Sequence, residues 1–158
     1  MTRIRSEGKP RAEKLIATNR QARFRYELLE RREAGLVLLG SEVKAVRAGT
    51  VNLSDAYISF RGDEAWLMNC HVGPYSHSAA TAHEPLRARK VLMRRRELDK
   101  LERAVQQKGL TIVVTRMYFS GPHVKIEVAL ARGKNTVDKR ETIKARDQER
   151  RARRGDHD

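Results

Sequence analysis

The sequence predicts a mainly β chain with short helices set between the strands, and three observations lead there. Apolar and polar residues alternate over His123 to Leu130, with Val124, Ile126, Val128 and Leu130 on one face and Lys125 and Glu127 on the other. Leu110 to Met117 is rich in β-branched side chains, which suit a pleated, half-buried surface. Gly62-Asp63 marks a turn between Phe60 and Ala65, so residues 53–69 read as a hairpin. With 158 residues, 39% of them hydrophobic and 5% aromatic, the chain can build one modest core with loosely structured ends.

In chain order, residues 1–18 mix Gly8, Pro10 and scattered cations with few apolar groups and read as a mobile arm. Asn19 to Arg25 packs three arginines around Ala22 and Phe24, and Tyr26 to Glu30 starts the first strand. Ala34-Gly35-Leu36-Val37-Leu38-Leu39, closed by Gly40, is a short apolar run of strand length. Ser41 then stands as an N-cap, with Glu42 in the first helical turn and Arg47 in the last, matching the helix dipole. Val43 and Val46 share one face of this short helix and Lys44 and Arg47 another; Gly49 closes it.

Ala56, Ile58 and Phe60 alternate with Tyr57 and Ser59 as a strand, and Ala65 to Met68 forms its partner, with Trp66 assigned to the core. Ser76 to Thr81 reads as a small polar loop. Six cations between Arg87 and Arg96 lead into a helix whose Leu98, Leu101 and Val105 keep helical spacing; Asp99 and Arg103 can pair, and Gly109 ends it. Cations at a helix N-terminus oppose its dipole, which suggests a ligand. Four to six strands with separated helices suggest a small antiparallel barrel of the oligonucleotide-binding kind. From Arg132 the apolar pattern stops, so this tail is expected to be disordered in the free protein and to fold as a helix on a partner.

The charge balance limits the function. Lys and Arg number 34 against 20 Asp and Glu, a net charge of +14, with a pI near 10.6. Residues 1–25 carry eight cations and two acids, and residues 132–158 ten and six, so both ends are denser in positive charge than the body. A polyanionic partner follows. No membrane span and no secretory leader are legible, and the lone Cys70 suits a reducing cytosol. Cys70, His71, His77 and His83 match no zinc spacing, and the glycines at 35, 40, 49 and 62 form neither a phosphate loop nor a dinucleotide fingerprint. No nucleophile–base pair stands out. The chain therefore reads as a binder without catalysis, cofactor or metal.

Several motifs together point further. Glu33 to Tyr57, EAGLVLLGSEVKAVRAGTVNLSDAY, resembles the signature of the small protein B (SmpB) family, partners of transfer-messenger RNA. Asn19-Arg20-Gln21-Ala22-Arg23, His83-Glu84-Pro85 with Arg87-Ala88-Arg89-Lys90, Lys108-Gly109-Leu110-Thr111, Gly133-Lys134 and Asp138-Lys139-Arg140 resemble that family in order and spacing. The resemblance implies a six-stranded OB-like barrel over 19–131 with about three helices, and a tail over 132–158 that folds on the ribosome. It further implies binding of the tRNA-like domain of transfer-messenger RNA and its delivery, with elongation factor Tu, to stalled ribosomes for trans-translation. The tail would occupy the empty mRNA channel near the decoding centre, and the protein would act as a cytoplasmic monomer.

By the same resemblance, Asn19, Arg20, Arg23, Tyr26, Glu33, Lys44, Arg47 and Tyr57 lie in or beneath the RNA-binding face, joined by Arg87, Arg89 and Lys90 from the second basic segment. Glu33 would orient an arginine or accept from a base or sugar hydroxyl. Gly133, Lys134, Asp138, Lys139, Arg140, Ile143 and Lys144 match the ribosome-reading tail. Phe24, Val114, Asn135, Val137 and Gln148 depart from the family pattern; Val137 and Gln148 stand where aromatic or imidazole rings are customary. The alternatives are a general basic RNA-binding barrel protein of the ribosome or RNA chaperone, and a small basic ribonuclease using the histidines.

Overall fold

The computed structural model describes residues 13–74, 83–134 and 144–150. Its elements in order are β1 (Glu13–Thr18), α1 (Arg20–Arg25), β2 (Tyr26–Leu36), α2 (Gly40–Arg47), β3 (Val51–Asn52), β4 (Tyr57–Arg61), β5 (Glu64–Met68), β6 (His71–Val72), β7 (Arg89–Leu92), α3 (Arg95–Lys108), β8 (Thr111–Ser120) and β9 (His123–Gly133). A further helix, α4, covers 144–150. The protein is mainly β, and all its strand pairs are antiparallel.

Seven strands form one sheet in the order β1-β8-β4-β5-β7-β2-β9, and β3 pairs with β6 apart from it. β9 also pairs with β8, so the order returns to a strand already used. Along one edge β8 is shared: β1 takes Arg116 to Ser120, while β4 meets it at the single register pair Tyr57↔Val113. The expected count of six strands changes because β1 adds to the β8 edge and β3 and β6 form a small ribbon of their own.

Residues 13–18 are therefore strand, correcting the expectation of a mobile arm over all of 1–18. Three apolar residues looked too few to order this segment, but pairing with β8 supplies its backbone hydrogen bonds, and Ile16 and Ala17 pack on the core. Residues 1–12 lie outside the described residues. At the other end, β9 runs to Gly133, two residues past the predicted boundary, and 144–150 is helical.

The strand starting at Tyr26 and the run at Ala34 are one strand. β2 crosses the charged Glu30-Arg31-Arg32-Glu33 stretch because β9 pairs with it there, and a bulge between Leu28 and Arg31 absorbs the irregularity. The strand ends at Leu36, inside the apolar run, and Leu39, not Ser41, is the N-cap of α2. The Glu42 carboxylate, at the third helical position, reaches back to accept the Leu39 N–H at 2.8 Å, the reciprocal half of a capping box. Gly49, at φ +78°, and Gly109, at φ +62°, end α2 and α3 in the left-handed region, as the sequence predicts.

The core lies between the inward faces of the strands, α2 and α3. Ile58, Leu67, Ile112, Val114, Met117, Ile126 and Val128 fill it, with Ala45 and Val46 from α2 and Leu98 and Leu101 from α3. Trp66 is not part of it. Ala65 and Leu67 point inward, which turns Trp66 to the opposite face between Ser59 and Lys90, half-buried. A second small cluster sits outside the sheet, where Ala22 of α1 packs on Val113, Ala129 and Ala131. This cluster fixes α1 against β8 and β9, and with it the residues around the candidate site.

Candidate nucleic-acid interface

Asn19 positions α1. Its Oδ1 accepts the Ala22 N–H at 3.2 Å, the N-cap bond, while its Nδ2 donates to the carbonyls of Leu53 and Val114, each at 2.9 Å. The side chain is buried and its amide hydrogens are both engaged, so Asn19 lies beneath the face and not on it. The helix ends where β2 begins: Tyr26 N–H caps Ala22 O, and the Lys134 ammonium and backbone N–H donate to Arg23 O (2.7 Å) and Arg25 O (3.1 Å). Lys134, assigned to a tail, is thus docked on α1.

Beside α1 a cleft of about 640 Å³ opens. Tyr26 and Tyr57, from the starts of β2 and β4, both line it, together with Arg25, Asp55, Asn69 and His71. Arg25 and Asp55 form an exposed ion pair at 3.1 Å on its wall. Asn69 holds φ +54°, the one non-glycine residue with positive φ among those described. Asn69 and His71 were not among the predicted site residues; the sequence signal was an Asn just past a strand, a residue type that tolerates this conformation. Two aromatic rings beside amide, imidazole and guanidinium groups offer stacking surfaces and donors to an unpaired base.

The predicted cations separate into two sets. Arg20 and Arg23 on α1, and Lys44 and Arg47 on α2, are exposed. Arg87 and Arg89 are not presented to solvent in this way. Arg89 is completely buried: its Nε pairs with Glu42, and its two terminal nitrogens donate to the carbonyls of Cys70 (2.7 Å) and Pro85 (3.2 Å). Arg87 pairs with the other oxygen of the same carboxylate. Lys90 lies outside, 3.2 Å from Glu64.

Arg89 therefore lies beneath the surface and Arg87 reaches it only in part, both held by Glu42. Burial raises the pKa of Glu42, but hydrogen bonds from Arg87, the Leu39 N–H and Arg89 outweigh it, leaving the carboxyl below its ordinary value. Breaking such a buried pair costs about 3–5 kcal/mol. Glu42 stands four residues before buried Val46, on the same helical face, which was the available signal that this acid points inward.

His83 completes the lock. Its Nε2 donates to Val72 O at 2.9 Å, which leaves Nδ1 to accept from the Ser41 hydroxyl at 2.9 Å when the ring is neutral. Ser41 therefore joins α2 to the 83–89 segment instead of capping the helix. The adjoining Cys70 thiol is pushed up to about 11, chiefly by burial, and so stays protonated at neutral pH.

Among the described residues Glu33 has no arginine partner, and it is not one of those lining the cleft. It accepts from the Tyr118 hydroxyl, whose pKa rises through burial first and the Glu33 bond second. At α3, Arg95 donates to Asp63 O at 2.6 Å and pairs with Asp63 and Asp99, both at 3.1 Å, so protein partners account for this cation near the helix start. Asp99 takes Arg95 in place of the predicted Arg103. Of the tail residues, Gly133 closes β9 and Lys144 is exposed on α4; Asp138, Lys139, Arg140 and Ile143 lie outside the described residues.

An antiparallel-sheet protein with exposed cations on two helices and an aromatic cleft belongs, by its surface chemistry, among nucleic-acid binders. The comparisons give the family: a model described as SmpB protein matches residues 16–157, and the chain belongs to the SmpB family. It is 53% identical over 138 residues to a protein of Gloeothece citriformis named SsrA-binding protein, covering 87% of this chain and 89% of that one. A protein of the same name from Oleidesulfovibrio alaskensis is 47% identical over 154 residues, covering 98% and 97%. A solved structure described as "tmRNA-SmpB: a journey to the center of the bacterial ribosome" superposes with a TM-score of 0.64 at 38% identity, covering 85% of this chain and 95% of the other.

Proposed function

We propose that this protein binds the tRNA-like domain of transfer-messenger RNA and brings it to stalled ribosomes for trans-translation. The observation that carries this reading is the family relationship, which extends from residue 16 to residue 157 and so includes the tail as well as the body. The solved relative described with transfer-messenger RNA and the ribosome supports the same partners. In this reading the cleft between Tyr26 and Tyr57 receives an unpaired base, while Arg20, Arg23, Lys44 and Arg47 hold flanking phosphates. Phosphate contacts position the RNA and the cleft discriminates its shape.

The finer parts rest on the same reading. Strands β8, β4, β5, β7, β2 and β9 make an OB-like barrel, supported by a pairing order that returns to β8. The segment from 132 onwards engages the small-subunit mRNA channel near the decoding centre; elongation factor Tu joins through the RNA; and the monomeric protein acts in the cytoplasm as a binder, without catalysis. A binding titration tests this, with the tRNA-like domain at near-physiological salt, a same-length unstructured RNA as competitor and Arg47→Ala in parallel. Tight, competitor-resistant binding weakened by Arg47→Ala is expected. Equal affinity for the two RNAs would leave only a general RNA-binding protein.

A further inference from the structure

On the other side of α1 from the tyrosine cleft lies a groove of about 480 Å³ that is rich in arginine. Its body wall carries Arg20 and Arg23 of α1, Arg31 of β2 and Arg116 of β8. Its other wall is α4, which contributes Arg146 and Arg150, four residues apart and therefore on one helical face. The single acid lining it, Glu127, is already engaged by Arg116 at 2.8 Å and by Arg31 at 3.8 Å. Arg20, Arg23, Arg146 and Arg150 have no carboxylate partner among the described residues.

Among the described residues nothing apolar explains why α4 lies here. All seven of its residues are exposed, and Ala145 is its one apolar side chain. Across the groove arginine faces arginine, a juxtaposition that direct electrostatics opposes. An anion between the walls reverses that sign, because each guanidinium then has an acceptor. Phosphodiesters suit the site, as the planar guanidinium fork matches phosphate oxygens in bidentate geometry.

We propose that this groove is a jaw for the RNA backbone, closed by α4: the strand runs between the walls, Arg20 and Arg23 on the body and Arg146 and Arg150 on the helix each hold a phosphate of their own, and RNA binding sets the position of the C-terminal segment. The proposal rests on the RNA-binding reading above and extends the phosphate contacts of Arg20 and Arg23 to the tail. Binding of RNA to the body and docking of α4 then reinforce each other.

The test uses the full chain and a single-stranded oligouridylate of twelve nucleotides, with binding measured across a salt series. Arg146→Gln with Arg150→Gln is expected to lower the slope of log affinity against log salt by about 1.4, since each phosphate neutralised on a single strand adds roughly 0.7. Labels at Gln148→Cys, on the helix face away from the groove, and Lys100→Cys, on α3, are expected to give a narrower distance distribution when the oligonucleotide saturates the protein. An unchanged slope in the double variant, or an unchanged distribution at saturation, would overturn the jaw. Failure here beside competitor-resistant binding of the tRNA-like domain would remove the jaw alone; a working jaw without that discrimination would remove the transfer-messenger RNA reading alone.

Discussion

Residues 19–25 and residues 87–90 are both short arginine-rich segments beside the same sheet, yet the structure uses them in opposite ways. Around α1, one asparagine turns inward and ties the backbone to Leu53 and Val114, which frees Arg20 and Arg23 to face solvent. At 87–89 the arginines themselves turn towards one buried carboxylate, and only Lys90 is left on the outer face. Counting cations in a segment therefore does not measure the potential it presents. What decides is whether a buried acid nearby requires them, and here Glu42 does.

The largest expected effect on this comparison comes from Glu42→Gln, which leaves the buried Arg89 guanidinium without its counter-charge. Chemical denaturation should show a loss of about 3–5 kcal/mol. A pH series adds a signed prediction. The folded carboxyl titrates below its ordinary value, so its stabilisation is complete above the ordinary carboxylate range and is lost as pH falls through the lowered folded value. Glu42→Gln should flatten that acid limb.

Asn19→Ala comes next. It removes the cap of α1 and leaves two buried carbonyls without this donor, and about 2–3 kcal/mol of destabilisation is expected from the two effects together. Any fall in RNA affinity should then track unfolding, recovering at temperatures where the variant is folded. Lys90→Ala marks the small end: its ion pair with Glu64 is exposed on both sides, so the denaturation midpoint should correspond to a change below about 0.5 kcal/mol.

The same contrast explains what was legible in the sequence. Both helix ends at Gly49 and Gly109, the alternation of β9 and the β-branched β8 were readable, because local period and local sterics fix them. The exposed cations of α2 followed from their spacing. By contrast, the continuity of β2 through Glu30 to Glu33 depends on pairing with β9, nearly a hundred residues away in sequence. Trp66 looked like core from its apolar neighbours, yet strand alternation places it on the outer face between Ser59 and Lys90. The inward turn of Arg89 was hidden for a related reason: its partners Glu42, Cys70 and Pro85 come together only in the folded chain. Resemblance identified the motif positions, but it did not distinguish side chains on the face from those that hold the face in place.

The most direct measurement compares Arg23→Ala with Arg87→Ala in one salt series against the tRNA-like domain, with denaturation midpoints taken on the same preparations. Arg87→Ala keeps the Arg89–Glu42 pair, so that variant remains folded. Arg23→Ala should weaken binding and reduce the salt slope by roughly the share of one phosphate while its midpoint stays unchanged. Arg87→Ala should lower the midpoint and leave the slope of the folded protein intact. A slope reduced equally by both substitutions, with both midpoints unchanged, would contradict the division of the two arginine segments into one that meets RNA and one that holds the fold.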